Sequence, residues 1–315
     1  MKLSNNDIKK LTFGAVRCEE TSKGLQFFKC TKKQTDAWYA IKEALGERSE
    51  KPTGVRIDFH TDSKSFILEG SGTFEVLIDG NYRATEELGD YGCITVDIRD
   101  ALGDELDEAR ITVIFHSHSK TFIKSLTLDE GSYVKPHEFD TKILFIGDSI
   151  TQGWDSGYSF LSYAWRVSNF FNADSVIHAV GGGIFHESIF DSIDFEPDTV
   201  IIAFGTNDFG FYQTIDELKA NTAAFMSKIA EEYKGKKIFY ISPIWRERRE
   251  KPMGNFQACR KALIEESEKY GFIHIDGLSL VPPIPEFYSD KEVHPNALGF
   301  GLYAENLIKE MLKNM

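Results

Sequence analysis

The stretch KILFIGDS at residues 142–149 decides the fold. It is a short apolar run without alternation that ends in a glycine and two polar residues, which is typical of a parallel strand buried on both faces. Four more such runs follow along the chain, at Ser175–His178, Thr199–Gly205, Lys237–Ser242 and Phe272–Asp276. Strand–helix alternation over about 175 residues predicts a doubly wound α/β sheet with right-handed crossovers.

The segments between these runs have apolar residues near helical spacing. They predict helices at Tyr158–Phe171, Asp216–Tyr233, Phe256–Tyr270 and Ala297–Leu312. In the second of them Leu218, Phe225 and Ile229 recur on one face, so this face packs against the sheet.

The first part of the chain follows a different pattern, with short alternating runs separated by turn residues. Strands are expected within Gly54–Leu68 and at Thr73–Ile78, Cys93–Ile98, Arg110–Phe115 and Thr121–Leu128. The pattern predicts a β-sandwich or jelly roll, with a short helix over Asp36–Leu45 inserted before the strands. We therefore divide the chain into an all-β domain, residues 1–138, and an α/β domain, residues 139–315.

Composition excludes several classes of protein. The 315 residues include 36 Lys and Arg against 49 Asp and Glu, a net charge of −13, so a nucleic-acid partner is not expected. No apolar run approaches ~18 residues and the N-terminus is polar, which predicts a cytoplasmic protein without a membrane span. The four cysteines form no CxxC pair, so we expect free thiols and neither a metal nor another cofactor. A homo-oligomer stays open.

Candidate catalytic residues follow the predicted strands of the α/β domain. In such a sheet, ligands bind beyond the carboxyl ends of the strands. Ser149, the glycines 181–183 and Asn207 each come directly after a strand, and His294 with Asp290 precedes the last helix. Each could be an ordinary cap or turn residue. Together they supply a nucleophile, oxyanion donors and a base, which is the set that acyl transfer needs. No GxSxG is present, so an α/β-hydrolase nucleophile elbow is excluded.

These residues resemble the conserved blocks of the SGNH (GDSL) hydrolases. Gly147-Asp148-Ser149-Ile150 is similar to the first block, Gly181-Gly182-Gly183 to the second, Gly205-Thr206-Asn207-Asp208 to the third, and Asp290 through His294-Pro295-Asn296 to the last. The resemblance covers about residues 140–315 and implies a flavodoxin-like doubly wound parallel sheet. In the family the Asp usually stands three residues before the His, where this chain has Lys291. A catalytic triad with Asp290 and a Ser–His dyad both stay open.

The resemblance implies a serine esterase that works through an acyl-enzyme. Ser149 would be the nucleophile, His294 the base and Asp290 the residue that orients the imidazole. The oxyanion would be bound by the backbone N–H groups of Ser149 and Gly182 and by the amide of Asn207.

The β-sandwich ahead of the catalytic domain resembles two-domain carbohydrate acetyl esterases. The substrate is therefore expected to be an acetylated oligosaccharide or another small ester, with Trp154 and Trp245 stacking on sugar rings. Three alternatives remain: a lysophospholipase or thioesterase, an acyltransferase, and a catalytically degenerate carbohydrate-binding protein.

Overall fold

The computed structural model describes residues 1–247, 250–251 and 253–314. The chain forms two compact units. One comprises Met1–Cys30 and Glu50–Phe139, and the other comprises Thr31–Ser49 and Asp140–Met315. Our domain boundary therefore needs one correction, because Thr31–Ser49 belongs to the second unit and not to the first.

The correction has a physical reason in the helices α2 (Lys32–Ile41) and α3 (Glu43–Ser49), which bury Trp38 and Leu45. The Thr31 hydroxyl donates to Asp191 at 2.7 Å, and the Lys33 ammonium lies 2.9 Å from the same carboxylate. These contacts are far apart in sequence, so no local pattern around residue 31 predicts them.

The first unit contains helix α1 (Asn5–Lys10) and two antiparallel sheets. The order of one sheet is β1-β4-β9-β6-β7, with β11 also paired to β4, and the order of the other is β2-β3-β10-β5-β8. The strands are β1 (Thr12–Phe13), β2 (Arg17–Thr21), β3 (Gly24–Phe28), β4 (Arg56–Thr61), β5 (Ser65–Ser71), β6 (Thr73–Ile78), β7 (Asn81–Glu87), β8 (Gly92–Asp97), β9 (Ala109–Phe115), β10 (Phe122–Leu128) and β11 (Lys135–Pro136).

One apolar core lies between these two sheets. Phe59 and Phe74 come from one sheet, and Phe66 and Leu68 come from the other; none of the four side chains is exposed to solvent. Because successive strand residues point to opposite faces, each strand contributes alternate side chains to this core. The predicted β-sandwich is confirmed.

The second unit is built on a parallel sheet. Its strands are β12 (Thr141–Gly147), β13 (Ala173–Ala179), β14 (Thr199–Ala203), β15 (Lys237–Ile241) and β18 (Ile273–Ile275), in the order β13-β12-β14-β15-β18. Numbered within this sheet the order is 2-1-3-4-5, the flavodoxin-like order that the sequence predicts. The remaining elements are α4 (Ser149–Gln152), α5 (Tyr163–Phe170), α6 (Asp208–Phe211), α7 (Ile215–Glu232), β16 (Glu250–Lys251), β17 (Gly254–Asn255), α8 (Phe256–Lys269) and α9 (Ala297–Lys313).

Both faces of the parallel sheet are covered. On one face Phe145 packs edge-on against Tyr163 of α5, whose ring stacks on Tyr303 of α9. On the other face Tyr240 packs in an aromatic cluster that includes Phe225 of α7. Helices on both faces leave the carboxyl ends of the strands as the open edge, and the site lies there.

Among the helices in the part of the chain that the structure describes, none is long and apolar enough to cross a membrane.

Candidate active site

Ser149 stands at the point where the central strand β12 turns into α4. It is the first residue of this short helix, and Asp148 caps the helix by accepting from the Ile150 N–H at 2.9 Å. A Cβ at Gly147 would lie 2.0 Å from the Thr151 hydroxyl, so only glycine allows so tight a turn here. The turn presents the Ser149 hydroxyl at the carboxyl edge of the sheet.

Three side chains at this edge are connected by two hydrogen bonds. The Ser149 Oγ lies 2.9 Å from His294 Nε2, and His294 Nδ1 lies 2.6 Å from Asp290 Oδ2. Since a carboxylate only accepts, Nδ1 carries the proton and Nε2 is left as the acceptor for the serine hydroxyl. This is the geometry of a nucleophile, a general base and a group that orients the base.

The loop accommodates the extra residue between Asp290 and His294 through its backbone conformation. Lys291 has φ +57°, a left-handed conformation that is uncommon for a side chain other than glycine. Asp290 Oδ1 then accepts the N–H groups of Glu292, Val293 and His294 at 2.8, 2.8 and 3.1 Å. Burial alone would raise the pKa of Asp290, but these backbone donors and His294 hold it below its usual range.

The glycine-rich segment after β13 is held by residues of two neighbouring helices, α4 and α6. Gly181 N–H donates to Gln152 Oε1 at 2.8 Å, and Phe185 N–H donates to Asp208 Oδ1 at 2.8 Å. Gly182 has φ +84°, which L-residues with a side chain rarely adopt. The segment is therefore a fixed turn beside the serine rather than an ordinary surface loop.

Asn207 lies between the serine turn and this glycine segment. Its Nδ2 donates to Asp148 Oδ2 at 3.2 Å and to the Gly183 carbonyl at 3.1 Å. Both distances lie at the long end of the ordinary range for N–H···O hydrogen bonds. The Asn207 amide is thus near the predicted oxyanion position, with its N–H groups engaged by two acceptors of the protein.

The family model of the GDSL-like lipases and acylhydrolases matches residues 145–302. The chain belongs to this family. It is a serine esterase of the GDSL type, and the expected resemblance is confirmed. None of the curated proteins matches the sequence significantly.

Solved structures with the same two-domain fold include enzymes of more than one activity. The salicylyl-acyltransferase SsfX3 of a tetracycline biosynthetic pathway is 17% identical, with a TM-score of 0.83 over 96% of this chain and 94% of its own. A family two carbohydrate esterase from Cellvibrio japonicus is 15% identical, with a TM-score of 0.72 over 99% of this chain and 97% of its own. One from Clostridium thermocellum, in complex with cellohexaose, is 16% identical, with a TM-score of 0.67 over 96% of this chain and 98% of its own. At these identities the likeness establishes the fold.

The two tryptophans singled out from the sequence lie in different surroundings. The half-buried Trp154 of this GDSL hydrolase has its ring centroid 6.4 Å from that of His294. Trp245 is buried in the core, 4.8 Å from the Tyr288 ring, and it also borders a cavity of about 410 Å³. Trp154 therefore lies beside His294, whereas Trp245 packs in the core against Tyr288.

Arg48 is a residue of the site that sequence reasoning missed. It lies at the end of α3, where its Nη1 donates to the Gly181 carbonyl at 2.7 Å. Its guanidinium is 5.5 Å from the centroid of the Trp154 ring, within the range of a cation–π contact. No motif marks Arg48, because it reaches the site from a segment about 100 residues before the serine and only tertiary packing brings it there.

Two buried carboxyl groups, Asp148 and Asp208, lie beneath the site. Burial raises the pKa of Asp148 to about 6 and that of Asp208 to about 8. Asp208 Oδ2 is buried and has no hydrogen-bond partner among the described residues. Asp208 is therefore neutral at pH 7, and it holds the glycine segment through Phe185 without adding a negative charge.

Replacing Asp208 by Asn is expected to stabilise the protein at pH 8 and above. The unfolded carboxyl ionises near its ordinary pKa of 3.8, whereas the folded one keeps its proton to about pH 8. Unfolding therefore releases a proton between these values, so this group makes stability fall as pH rises from about 4 to about 8. Asp208→Asn keeps the acceptor for Phe185, removes this fall and gains at least about 1 kcal/mol at pH 8. Thermal unfolding between pH 4 and 9 measures it.

Asp198→Asn is the control, with the opposite sign. The backbone N–H of Lys142 and the Thr141 hydroxyl lower the pKa of Asp198, so its ionised form stabilises the fold and is lost at acid pH. This variant should lose stability at neutral pH. If Asp208→Asn shows the same pH dependence of melting as the wild type, Asp208 is not the buried neutral acid described.

Proposed function

We propose that this enzyme removes short acyl groups, foremost acetyl, from carbohydrate or other small esters through an acyl-enzyme. The observation that carries the proposal is the closed chain Ser149–His294–Asp290, with 2.9 and 2.6 Å between the hydrogen-bonded atoms. Such a chain activates a hydroxyl that is otherwise a weak nucleophile.

In the first half-reaction the Ser149 Oγ attacks the ester carbonyl and His294 Nε2 takes its proton. The tetrahedral intermediate collapses, and the same proton passes from His294 to the departing alcohol oxygen. In the second half-reaction His294 deprotonates a water, which attacks the acyl group on Ser149. The second tetrahedral intermediate collapses, the acid leaves, and the proton passes from His294 back to Ser149 Oγ. Asp290 keeps the proton on Nδ1 throughout and stabilises the imidazolium that forms in each half.

The oxyanion of each intermediate needs donors that are already in place. The Ser149 N–H belongs to the first turn of a helix, where N–H groups have no carbonyl partner within the helix. We assign the second donor to Gly182, whose positive φ fixes the turn beside the serine. Asn207 supplies the third when its amide exchanges one of its two hydrogen bonds for the oxyanion.

Recognition of a sugar is assigned to Trp154. Its indole is only half-buried and lies beside His294, where the leaving alcohol must sit. An aromatic face next to the leaving group suits the apolar face of a pyranose. The buried Trp245 is the weaker candidate for stacking and would contact a ligand only through the cavity that it borders.

The short acyl chain is supported by crowding at the glycine segment. A Cβ on Gly182 would lie 3.1 Å from Arg48 Nη1 and 3.1 Å from Leu45 Cδ2. Helix α3 therefore packs closely against one side of Gly182, which narrows the space beside the assigned oxyanion donor. This crowding argues against a lysophospholipase or a long-chain thioesterase.

An acyltransferase is the second candidate, because one similar fold belongs to a salicylyl-acyltransferase. The same residues would then pass the acyl group to an alcohol other than water. The degenerate binding protein is the weakest candidate. It rests on the additional residue before His294, and the left-handed turn at Lys291 leaves the Asp290–His294 hydrogen bond intact.

Hydrolysis of p-nitrophenyl esters of increasing chain length tests the acyl preference. We expect kcat/KM to be highest for acetate and to fall by at least about tenfold at octanoate, because a long chain must displace packed side chains. Acetylated cello- and xylo-oligosaccharides then test the alcohol part, with acetate release followed by NMR and an added alcohol acceptor to reveal transfer. A preference for acyl chains of eight carbons or more would contradict the proposal.

Trp154→Ala, compared with the exposed Phe170→Ala, tests recognition of the sugar. We expect Trp154→Ala to raise KM for the acetylated oligosaccharide more than for p-nitrophenyl acetate, since only the first substrate offers a ring to stack on. Equal effects on both substrates would remove Trp154 from the proposal. A cytoplasmic location stays a prediction, and whether the chain forms a homo-oligomer stays open.

A further inference from the structure

Gly181 is held at both of its polar backbone atoms. Its N–H donates to Gln152 Oε1 at 2.8 Å, and its carbonyl accepts from Arg48 Nη1 at 2.7 Å. Gln152 belongs to the helix that Ser149 begins, and Arg48 belongs to α3. The turn that contains the assigned oxyanion donor Gly182 is therefore held by hydrogen bonds with both α4 and α3.

The carbonyl of Gly181 and the N–H of Gly182 belong to one peptide unit. In a planar trans peptide these two groups point in opposite directions, so a bond that fixes one fixes the other. Glycine on both sides lets such a unit rotate easily, because neither residue has a Cβ to restrict it. Arg48 holds the carbonyl on one side and thereby aims the Gly182 N–H away from itself.

The positive charge of Arg48 also favours the role of the Gly182 N–H as a hydrogen-bond donor. A guanidinium that donates to a carbonyl draws electron density from the amide, and hydrogen bonds in a chain strengthen one another. The Gly182 N–H becomes a stronger donor as a result.

We propose that Arg48 is a positioning residue for catalysis, which orients and polarises the Gly182 N–H that binds the oxyanion. The inference rests on the proposed function, since it needs an oxyanion at Ser149. Arg48 acts through the peptide unit, so it is expected to affect the transition state and not the binding of a neutral substrate.

Three variants and one control test the proposal with p-nitrophenyl acetate as the probe. Arg48→Met keeps the apolar stem over Trp154 and removes the donor, Arg48→Gln restores a neutral donor, and Arg48→Lys restores the charge. We expect Arg48→Met to lower kcat roughly 10- to 100-fold with KM within about threefold of the wild type. Arg48→Lys should recover most of the loss, and Arg48→Gln less. The control is Arg166→Met, since Arg166 also donates to a backbone carbonyl, that of Leu161 at 2.9 Å.

A second readout does not depend on the natural ester. A fluorophosphonate probe reacts with an activated serine: the bond between Ser149 Oγ and phosphorus forms, the phosphorus–fluorine bond breaks, and the serine proton passes to His294. The phosphoryl oxygen occupies the oxyanion position, so Arg48→Met should slow labelling by about the same factor as it lowers kcat.

The outcomes separate this inference from the function on which it rests. If the wild type is labelled at Ser149 and Arg48→Met has unchanged kcat and labelling rate, Arg48 has no positioning role. An increase in KM alone would assign Arg48 to substrate binding and also overturn the inference. If the wild type neither turns over the ester nor is labelled at Ser149, the proposed function fails, and the inference fails with it.

Discussion

Ser149→Ala is expected to lower kcat for p-nitrophenyl acetate by about 10⁴-fold or more, because the acyl-enzyme cannot form without the hydroxyl. Ser149 is buried, with a relative exposure of 9%, and the smaller methyl group of alanine fits in place of its side chain. The fold and the melting temperature should therefore stay close to those of the wild type.

Ser168→Ala is the matched control for this variant. Ser168 is also a buried serine of the second unit, and its hydroxyl donates to the Ala164 carbonyl at 2.7 Å within α5. Its replacement should leave kcat within about twofold of the wild type. It should cost about 1–3 kcal/mol of stability, because the Ser168 hydroxyl also lies 2.9 Å from the buried Ser175 Oγ, which loses this partner. If Ser149→Ala and Ser168→Ala hydrolyse the ester equally well, Ser149 is not the nucleophile.

Asp290→Asn is expected to lower kcat by about 10³- to 10⁴-fold, through the tautomer of His294. The Oδ1 of residue 290 accepts three backbone N–H groups, and an asparagine that keeps these bonds must turn its amide N–H₂ towards His294 Nδ1. Nδ1 then becomes an acceptor and Nε2 carries the proton, so Nε2 can no longer take the proton of Ser149.

Asp155→Asn is the control for this substitution, and it separates a triad from a dyad. Asp155 accepts from the hydroxyl of Ser289 on the same loop at 2.6 Å, and an asparagine can accept it equally well. It should leave kcat within about threefold of the wild type. If Asp290→Asn is as active as Asp155→Asn, His294 works as a dyad with Ser149, and Asp290 only shapes the loop.

The central parallel strands were predictable because burial on both faces leaves an unbroken apolar run. Lys142–Gly147 was expected and Thr141–Gly147 is observed. Edge strands were harder to find, since they carry little apolar signal. β7 (Asn81–Glu87) is almost wholly exposed, and neither it nor β2 (Arg17–Thr21) was predicted.

The residues of the site that follow strands were predictable, because topology alone brings the carboxyl ends of parallel strands to one edge. Arg48 was not, since its role depends on α3 packing against a glycine turn that lies more than 130 residues later in the sequence. The spacing of Asp290 and His294 in the sequence also did not decide whether these two side chains form a hydrogen bond. This hydrogen bond depends on the left-handed backbone conformation of Lys291, which a lysine at that position does not predict.

Trapping the acyl-enzyme tests the central claim most directly. Wild-type protein is mixed with p-nitrophenyl acetate, quenched in acid during turnover, digested and examined by mass spectrometry. We predict a single added acetyl group on the Ser149 side chain, absent from Ser149→Ala and present in Ser168→Ala. Turnover with the acetyl group on another residue, or turnover with no acetylated peptide at all, would contradict the acyl-enzyme mechanism.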